Sequence, residues 1–179
     1  MVYTARMDSN KDYNGVASPF DLTGPLWQAL ESNGALLMTG SQGNPMTIGW
    51  ASVGVIWGRR ILSVLVRPSR YSFGLIEKLP AFTVNVLDTR QYAKELAFCG
   101  SNSGRDMDKL KECGFETLPG TRVEVPYLKE ALAVFECRVV HKTCVNDPDL
   151  MPDIRASRYP QGDLHRIYHG EIMVVRKAE

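Results

Sequence analysis

Six short runs of apolar and β-branched residues, at 35–39, 46–56, 61–67, 81–87, 132–142 and 166–176, leave this chain little choice but a sheet. Their spacing is uneven. GWASVGVIW and ILSVLVR are separated by Gly58, Arg59 and Arg60, a link short enough for an antiparallel hairpin. The next strand, AFTVNVL, comes only after a helical pattern, YSFGLIEKL at 71–79. A longer excursion then runs to about residue 131, with helical patterns RQYAKELAF at 90–98 and DMDKLKEC at 106–113 followed by a Pro-Gly loop. One more helical candidate, PLWQALES at 25–32, precedes the first strand. These helices are too few and too irregular for repeating βαβ units. Long connections that leave a β core and re-enter it predict a mainly β, Greek-key barrel with a few short helices. The segment 146–162, NDPDLMPDIRASRYPQG, has turn chemistry throughout and reads as one long surface loop.

A chain of 179 residues fits a single domain, 1–179, able to bury roughly 70 % of its unfolded surface. Residues 1–30 carry no motif and read as an N-terminal extension. With 21 basic and 20 acidic residues the net charge is +1, so no overall field draws the chain to nucleic acid or an anionic membrane. The first residues, MVYTARMDSNKDYNG, lack a signal-peptide core, and no later stretch is long enough to span a bilayer. The cytoplasm is the expected location. Cys99, Cys113, Cys137 and Cys144 form no C-x-x-C pair and no metal-ligand spacing, and no Ser-His-Asp or Cys-His arrangement is present. Reduced thiols are expected, with Cys137 packed in AVFECRVV and Cys99, beside Gly100, the one thiol placed to touch a ligand.

The stretch VLVRPSRYS at 64–72 ends an apolar run in two arginines, a proline and two hydroxyls. Pro68 lacks an N–H and biases Arg67 toward extended geometry, so the ladder stops there. A helix follows at once, with Ser69 or Ser72 as its cap. Free N–H groups and the positive end of the helix dipole then stand beside Arg67 and Arg70. That is an anion site, and guanidinium forks with serine hydroxyls suit a phosphate. In NPMTIGWASVG, the small residues Gly49, Ala51 and Gly54 beside Trp50 let a flat ligand such as a flavin ring approach the main chain, although strand glycines also mark bulges and barrel corners. A third cluster, CGSNSGRDMDK at 99–109, sets glycines, serines, Arg105 and Lys109 before a helix. Asp106 and Asp108 read as cap residues, and Arg105 and Lys109 as solvated charges or as a second phosphate or ribityl contact.

MTIGW at 46–50, VRPSRYS at 66–72, FTVNV at 82–86, CGSNSGRDMDK at 99–109 and GDLHRIYHGEI at 162–172 follow one another in the order found in a known family. Together they resemble the flavin reductase-like FMN-binding split-barrel proteins, especially the flavoredoxin-like branch, over residues 35–176. The resemblance implies a homodimer with one FMN per subunit near the interface. It implies that Arg67, Ser69, Arg70 and Ser72 hold the FMN phosphate with Tyr71 alongside, and that Met46, Thr47, Ile48, Gly49, Trp50 and Ala51 line the ring and ribityl chain. Cys99, Gly100, Ser103, Arg105 and Lys109 would close the cofactor from the other side. Two departures stand out: Pro45 after Asn44 removes a backbone donor, and Ala51 replaces a common glycine.

His165 and His169 lie in the segment resembling the family's closing strand, with a role in positioning a reductant or a structural one; His141 reads as a packed or surface strand residue. Flavin chemistry asks the protein for placement and electrostatics more than for acids and bases. The expected activity is an FMN-dependent oxidoreductase that takes hydride from NAD(P)H and passes electrons to a small-molecule or protein acceptor. No GxGxxG fingerprint is present, and none is needed where the nicotinamide lies directly on the flavin. An FMN-containing electron carrier without its own NAD(P)H site is the rival reading, and a non-redox phosphate-ligand barrel a third.

Overall fold

The computed structural model describes residues 22–177. Helix α1 (Thr23–Glu31) leads into β1 (Ala35–Thr39), β2 (Asn44–Ile48), β3 (Ala51–Ile56) and β4 (Arg59–Val66). Then come α2 (Tyr71–Lys78), β5 (Ala81–Val86), α3 (Ala93–Ser101), α4 (Lys109–Cys113) and a ribbon of β6 (Thr117–Leu118) and β7 (Tyr127–Leu128). The chain closes with β8 (Ala133–Cys144), α5 (Pro152–Arg158) and β9 (Arg166–Lys177).

Seven strands form one sheet in the order β2-β1-β5-β8-β9-β4-β3, every neighbouring pair antiparallel. The two edge strands, β2 and β3, are consecutive in the chain and separated only by Gly49 and Trp50. That link spans at most about 11 Å from Ile48 to Ala51. The sheet must therefore curl until its edges nearly meet, which makes a barrel with one seam left open. The sequence run 46–56 is thus two strands broken at the seam.

Burial follows the pleat. From β1 and β5, Ala35, Leu37, Phe82, Val84 and Val86 point into the barrel, while Leu36, Met38 and Ala81 join a second cluster under α3, α4 and the excursion to Ala131. Both strands are buried on both faces; β1 reads as a nearly continuous apolar run, whereas β5 carries two polar residues on its outer face. The two polar residues on the outer face of β5 are satisfied there: Thr83 Oγ1 donates to Pro126 O (2.9 Å) and Asn85 Oδ1 accepts from Leu128 N (2.8 Å). Gly170 of β9 is required by close packing, since a Cβ there would stand 2.5 Å from Phe82 Cζ.

Four local readings change. The β3–β4 turn is Trp57–Gly58, both at positive φ (55° and 69°), the geometry of a type I′ hairpin; Arg59 and Arg60 already belong to β4. Helix α3 begins at Ala93, three residues after Arg90, because Asp88 accepts from the N–H groups of Arg90 and Gln91 and forms a turn first. The segment 146–162 holds a 3-10 turn (Asp147–Asp149) and α5, started by Pro152 at its first position. Asp108 caps α4 by accepting from Leu110 N and Lys111 N (3.1 and 3.2 Å), as expected, but neither Ser69 nor Ser72 caps α2: its N-cap is Arg70, with no side-chain cap.

Candidate functional site

The open seam holds two adjoining clefts. The first, about 220 Å3, is lined by Met46, Thr47, Ile48, Gly49 and Trp50 at the seam, Leu65, Arg67 and Arg70 from the end of β4, and His165. The second, about 120 Å3, is lined by Asn44, Met46, Ser69, Arg70, Tyr71 and Ser72 on one side and by 101–105 and Lys109 on the other. Met46 and Arg70 belong to both, so the clefts are two ends of one groove.

Three cations converge on the smaller cleft. Arg70 Nη1 donates to Gly100 O (3.3 Å), and Arg105 Nη1 to Ser69 O (3.1 Å) while its guanidinium lies 5.5 Å from the Tyr71 ring centre. Lys109 is 3 % exposed, and its Nζ donates to Cys99 O (3.1 Å) and Asn102 O (3.3 Å). Two of the three ammonium donors are thereby used, which leaves one for the cleft. Burial, helped by the Arg70 charge, lowers the Lys109 pKa, so a bound anion would be answered by a group short of counter-charge. Ser72 is buried and its Oγ accepts from Asn44 Nδ2 (2.9 Å), so its own O–H proton remains to be donated. The uncapped N-terminus of α2 adds its dipole. Gly104 lets the 101–105 turn close over Asn44: a Cβ there would stand 1.9 Å from Asn44 Oδ1. Cations, hydroxyls and a free helix end form the donor set of a phosphate site, and the residues fit an FMN phosphate.

Arg67 and Ser69, in the same motif, line the groove and also bond within the protein. Arg67 donates to the carbonyls of Arg158 (2.9 Å) and Asp163 (3.0 Å), and more distantly to Gly162 (3.5 Å), with Tyr159 packed 5.0 Å from its guanidinium. Ser69 donates through Oγ to Asp163 Oδ2 (2.6 Å) and through N to Asp163 Oδ1 (3.2 Å). The segment 158–163 is strapped to the β4 tip by these bonds, and an internal carboxylate, that of Asp163, accepts from both Ser69 donors.

In the larger cleft His165, 8 % exposed, shares a hydrogen bond between Nδ1 and Tyr159 Oη (2.8 Å) and lies 5.0 Å from the Trp50 ring centre. Burial and then the Arg67 charge push its pKa down to about 4, with Asp163 opposing, so the imidazole is neutral near pH 7. Thr47 is held by donating Oγ1 to Leu96 O (2.5 Å), and a Cβ on Gly100 would lie 3.3 Å from Thr47 Cβ. Ala51 lines a separate, more apolar groove of about 550 Å3 between α1 and β3, which shares Gly49, Trp50 and Leu65 with the first cleft.

Of the expected site residues, Met46, Thr47, Ile48, Gly49, Trp50, Arg67, Ser69, Arg70, Tyr71, Ser72, Ser103, Arg105 and Lys109 come together along the groove. Cys99 does not. Its side chain is fully buried in the second core cluster, 3.8 Å from Cys113 Sγ, and burial pushes the thiol up to about 12, so it is an inert packing group. Only its carbonyl serves the site. His169 also lies apart, on the outer face of β9 against Ser63 and His141. Asn44, Leu65, Asp163 and Tyr159 were not among the expected residues. All four lie inside stretches already singled out, Asn44 beside Pro45, Leu65 in VLVRPSRYS, Tyr159 in the 146–162 segment and Asp163 in GDLH, but their apolar, amide, phenol or acid side chains gave no separate signal.

Comparison with known proteins agrees with this architecture. Residues 29–179 match the family described as flavin reductase like domain, and the chain belongs to that family. Among solved structures, flavoredoxin of Desulfovibrio vulgaris (Miyazaki F) superposes with a TM-score of 0.64 at 24 % identity, over 81 % of this chain and 69 % of that one. A flavoredoxin from Methanosarcina acetivorans gives 0.63 at 27 % identity, over 81 % and 68 %. An uncharacterized protein of Archaeoglobus fulgidus is 29 % identical over 128 residues, 72 % of this chain and 66 % of its own length. The chain thus spans just under two thirds of that relative. Family and fold are thus those of a flavin reductase-like domain. No described helix is long and apolar enough to cross a membrane.

Proposed function

We propose that the seam groove binds FMN, with the phosphate among Arg70, Ser72, Ser103, Arg105 and Lys109 and the ring along Met46–Trp50, and that the protein is an NAD(P)H-dependent flavin reductase-like oxidoreductase. The observation that carries this reading is the groove itself: a cationic, hydroxyl-rich end continuous through Met46 and Arg70 with a flatter end walled by a bare glycine and a tryptophan. When bound, FMN would supply hydride acceptance and electron release. The chain's own part is placement. Arg67 and Ser69 hold the 158–163 strap, which carries Tyr159 and leads into His165. Thr47, tied to Leu96 O, fixes the seam strand. The neutral His165–Tyr159 pair offers a polar edge beside Trp50.

A second copy of the chain is the partner this reading calls for. β3 is an edge strand beside the seam, with Val55 58 % and Ile56 37 % exposed, and an unpaired apolar edge favours pairing. A homodimer by light scattering is the expected result, and a monomer at all concentrations would remove this part.

Mixing the purified yellow protein anaerobically with NADPH or NADH tests the activity. Rapid bleaching of the flavin band supports the reductase. Bleaching only by a protein electron donor supports instead a carrier like the flavoredoxins among its structural neighbours. A colourless protein that FMN does not reconstitute would defeat both.

A further inference from the structure

Away from the seam, on the outer face of the closing strands, His141 of β8 and His169 of β9 stand directly opposite each other in the ladder, next to the register shift between Val139 and His141. Their ring centroids are 5.3 Å apart and their planes within 25°. Two imidazoles that bind one ion through bonds of about 2.0–2.1 Å at a tetrahedral angle have ring centres about 5 Å apart. The ladder thus sets the two imidazoles at the spacing of a two-histidine chelate; the rings are stacked in this arrangement, so chelation requires the exposed His141 ring to turn until its lone pair converges with that of His169.

Two further observations bear on the same pair. Ser63 Oγ lies 2.7 Å from His169 Nδ1, a hydrogen bond of the kind that orients a metal-binding imidazole and leaves Nε2 to face the ion. Trp57, fixed at positive φ in the hairpin turn, sets its ring 5.4 Å from His141 and 6.3 Å from His169, and so screens one side of the pair. Among the described residues no group of three histidine, cysteine or carboxylate ligands exists, so a chelate here has two protein ligands.

The geometry points to a surface chelate of His141 and His169 for a divalent cation of the nickel, copper and zinc class, separate from the seam groove and from its redox chemistry. Imidazole nitrogens suit these ions, whereas magnesium and calcium prefer oxygen. A bound ion would tie β8 to β9 beside the bulge, where the ladder is locally interrupted.

The test is a titration of the purified protein, prepared without a polyhistidine tag, with Ni2+ while tryptophan fluorescence is followed. Saturable quenching is expected well below about 1 mM Ni2+, tighter with Cu2+ and absent with Mg2+. His141→Ala and His169→Ala should each weaken Ni2+ binding by about tenfold or more, as expected when a chelate loses one arm. His141 is exposed, so His141→Ala leaves the fold intact and decides the matter even if His169→Ala does not fold. Trp57→Phe should lose most of the quenching yet keep the affinity measured by calorimetry. Wild-type Ni2+ affinity in His141→Ala, or no saturable binding to the wild-type protein, overturns the proposal.

Discussion

The two sides of the β4–α2 junction use the same residue types for opposite ends. On one side Arg67 and Ser69 line the groove but are also tied to protein: carbonyls of the 158–163 strap accept from Nη1 and Nη2 of the guanidinium, and the Asp163 carboxylate takes the serine's donors. On the other side Arg70 and Ser72 face the groove, where Arg70 has one carbonyl partner and Ser72 accepts from Asn44 without that bond using its proton. A cation whose donors are taken by carbonyls acts as a brace. A cation with a single carbonyl partner, next to Lys109 and Arg105 and an open helix end, is available to a ligand. The difference lies in what packs opposite, which is Asp163 in one case and the 101–105 turn in the other.

This contrast can be broken by substitution. Arg70→Ala should lower FMN affinity by about 100-fold, equivalent to roughly 3 kcal/mol for a charged, phosphate-directed donor, with little change in the unfolding midpoint of the apoprotein. Arg67→Ala should do the reverse, costing about 2 kcal/mol in urea unfolding and making the 158–163 strap sensitive to protease, while FMN affinity falls less than in Arg70→Ala. If Arg67→Ala released flavin more completely than Arg70→Ala, the assignment of brace and ligand site would be inverted.

His165 sharpens the contrast through pH. Its pKa falls from 6.5 in the unfolded chain to about 4 in the folded one, so the unfolded state binds more protons between those values. Stability should be fully present above about pH 6.5 and decline as pH falls toward 4, by roughly 1–3 kcal/mol from this residue. Urea unfolding at pH 7 and pH 4.5 checks this: His165→Gln should flatten that part of the profile. The smallest effect is expected at Cys99, where Cys99→Ala should cost about 1 kcal/mol of stability and leave the rate of flavin reduction unchanged.

Strands were legible in the sequence wherever side-chain pattern alone decides, as in the apolar run of β1 and the alternation of β5. The seam was not legible. GWASVGV continues the apolar pattern across Gly49–Trp50, and only the strand order reveals that β2 and β3 are opposite edges. Helix α5 was hidden because Pro, Asp and Ser serve equally as turn and helix-start residues. In the site, the sequence clusters at 46–50, 67–72 and 103–109 were informative because each carries its own donors or bare backbone. The orientation of Cys99 into the core, the capture of Ser69 by Asp163 and the His165–Tyr159 bond are tertiary facts, set by how distant segments pack.

FMN and riboflavin differ only by the phosphate, so their relative affinity for the apoprotein measures the cradle directly. Calorimetry is predicted to find FMN about 100-fold tighter than riboflavin in the wild-type protein, with most of that gap lost in Arg70→Ala. Equal affinities for the two in the wild-type protein would contradict a phosphate anchor at the β4–α2 junction.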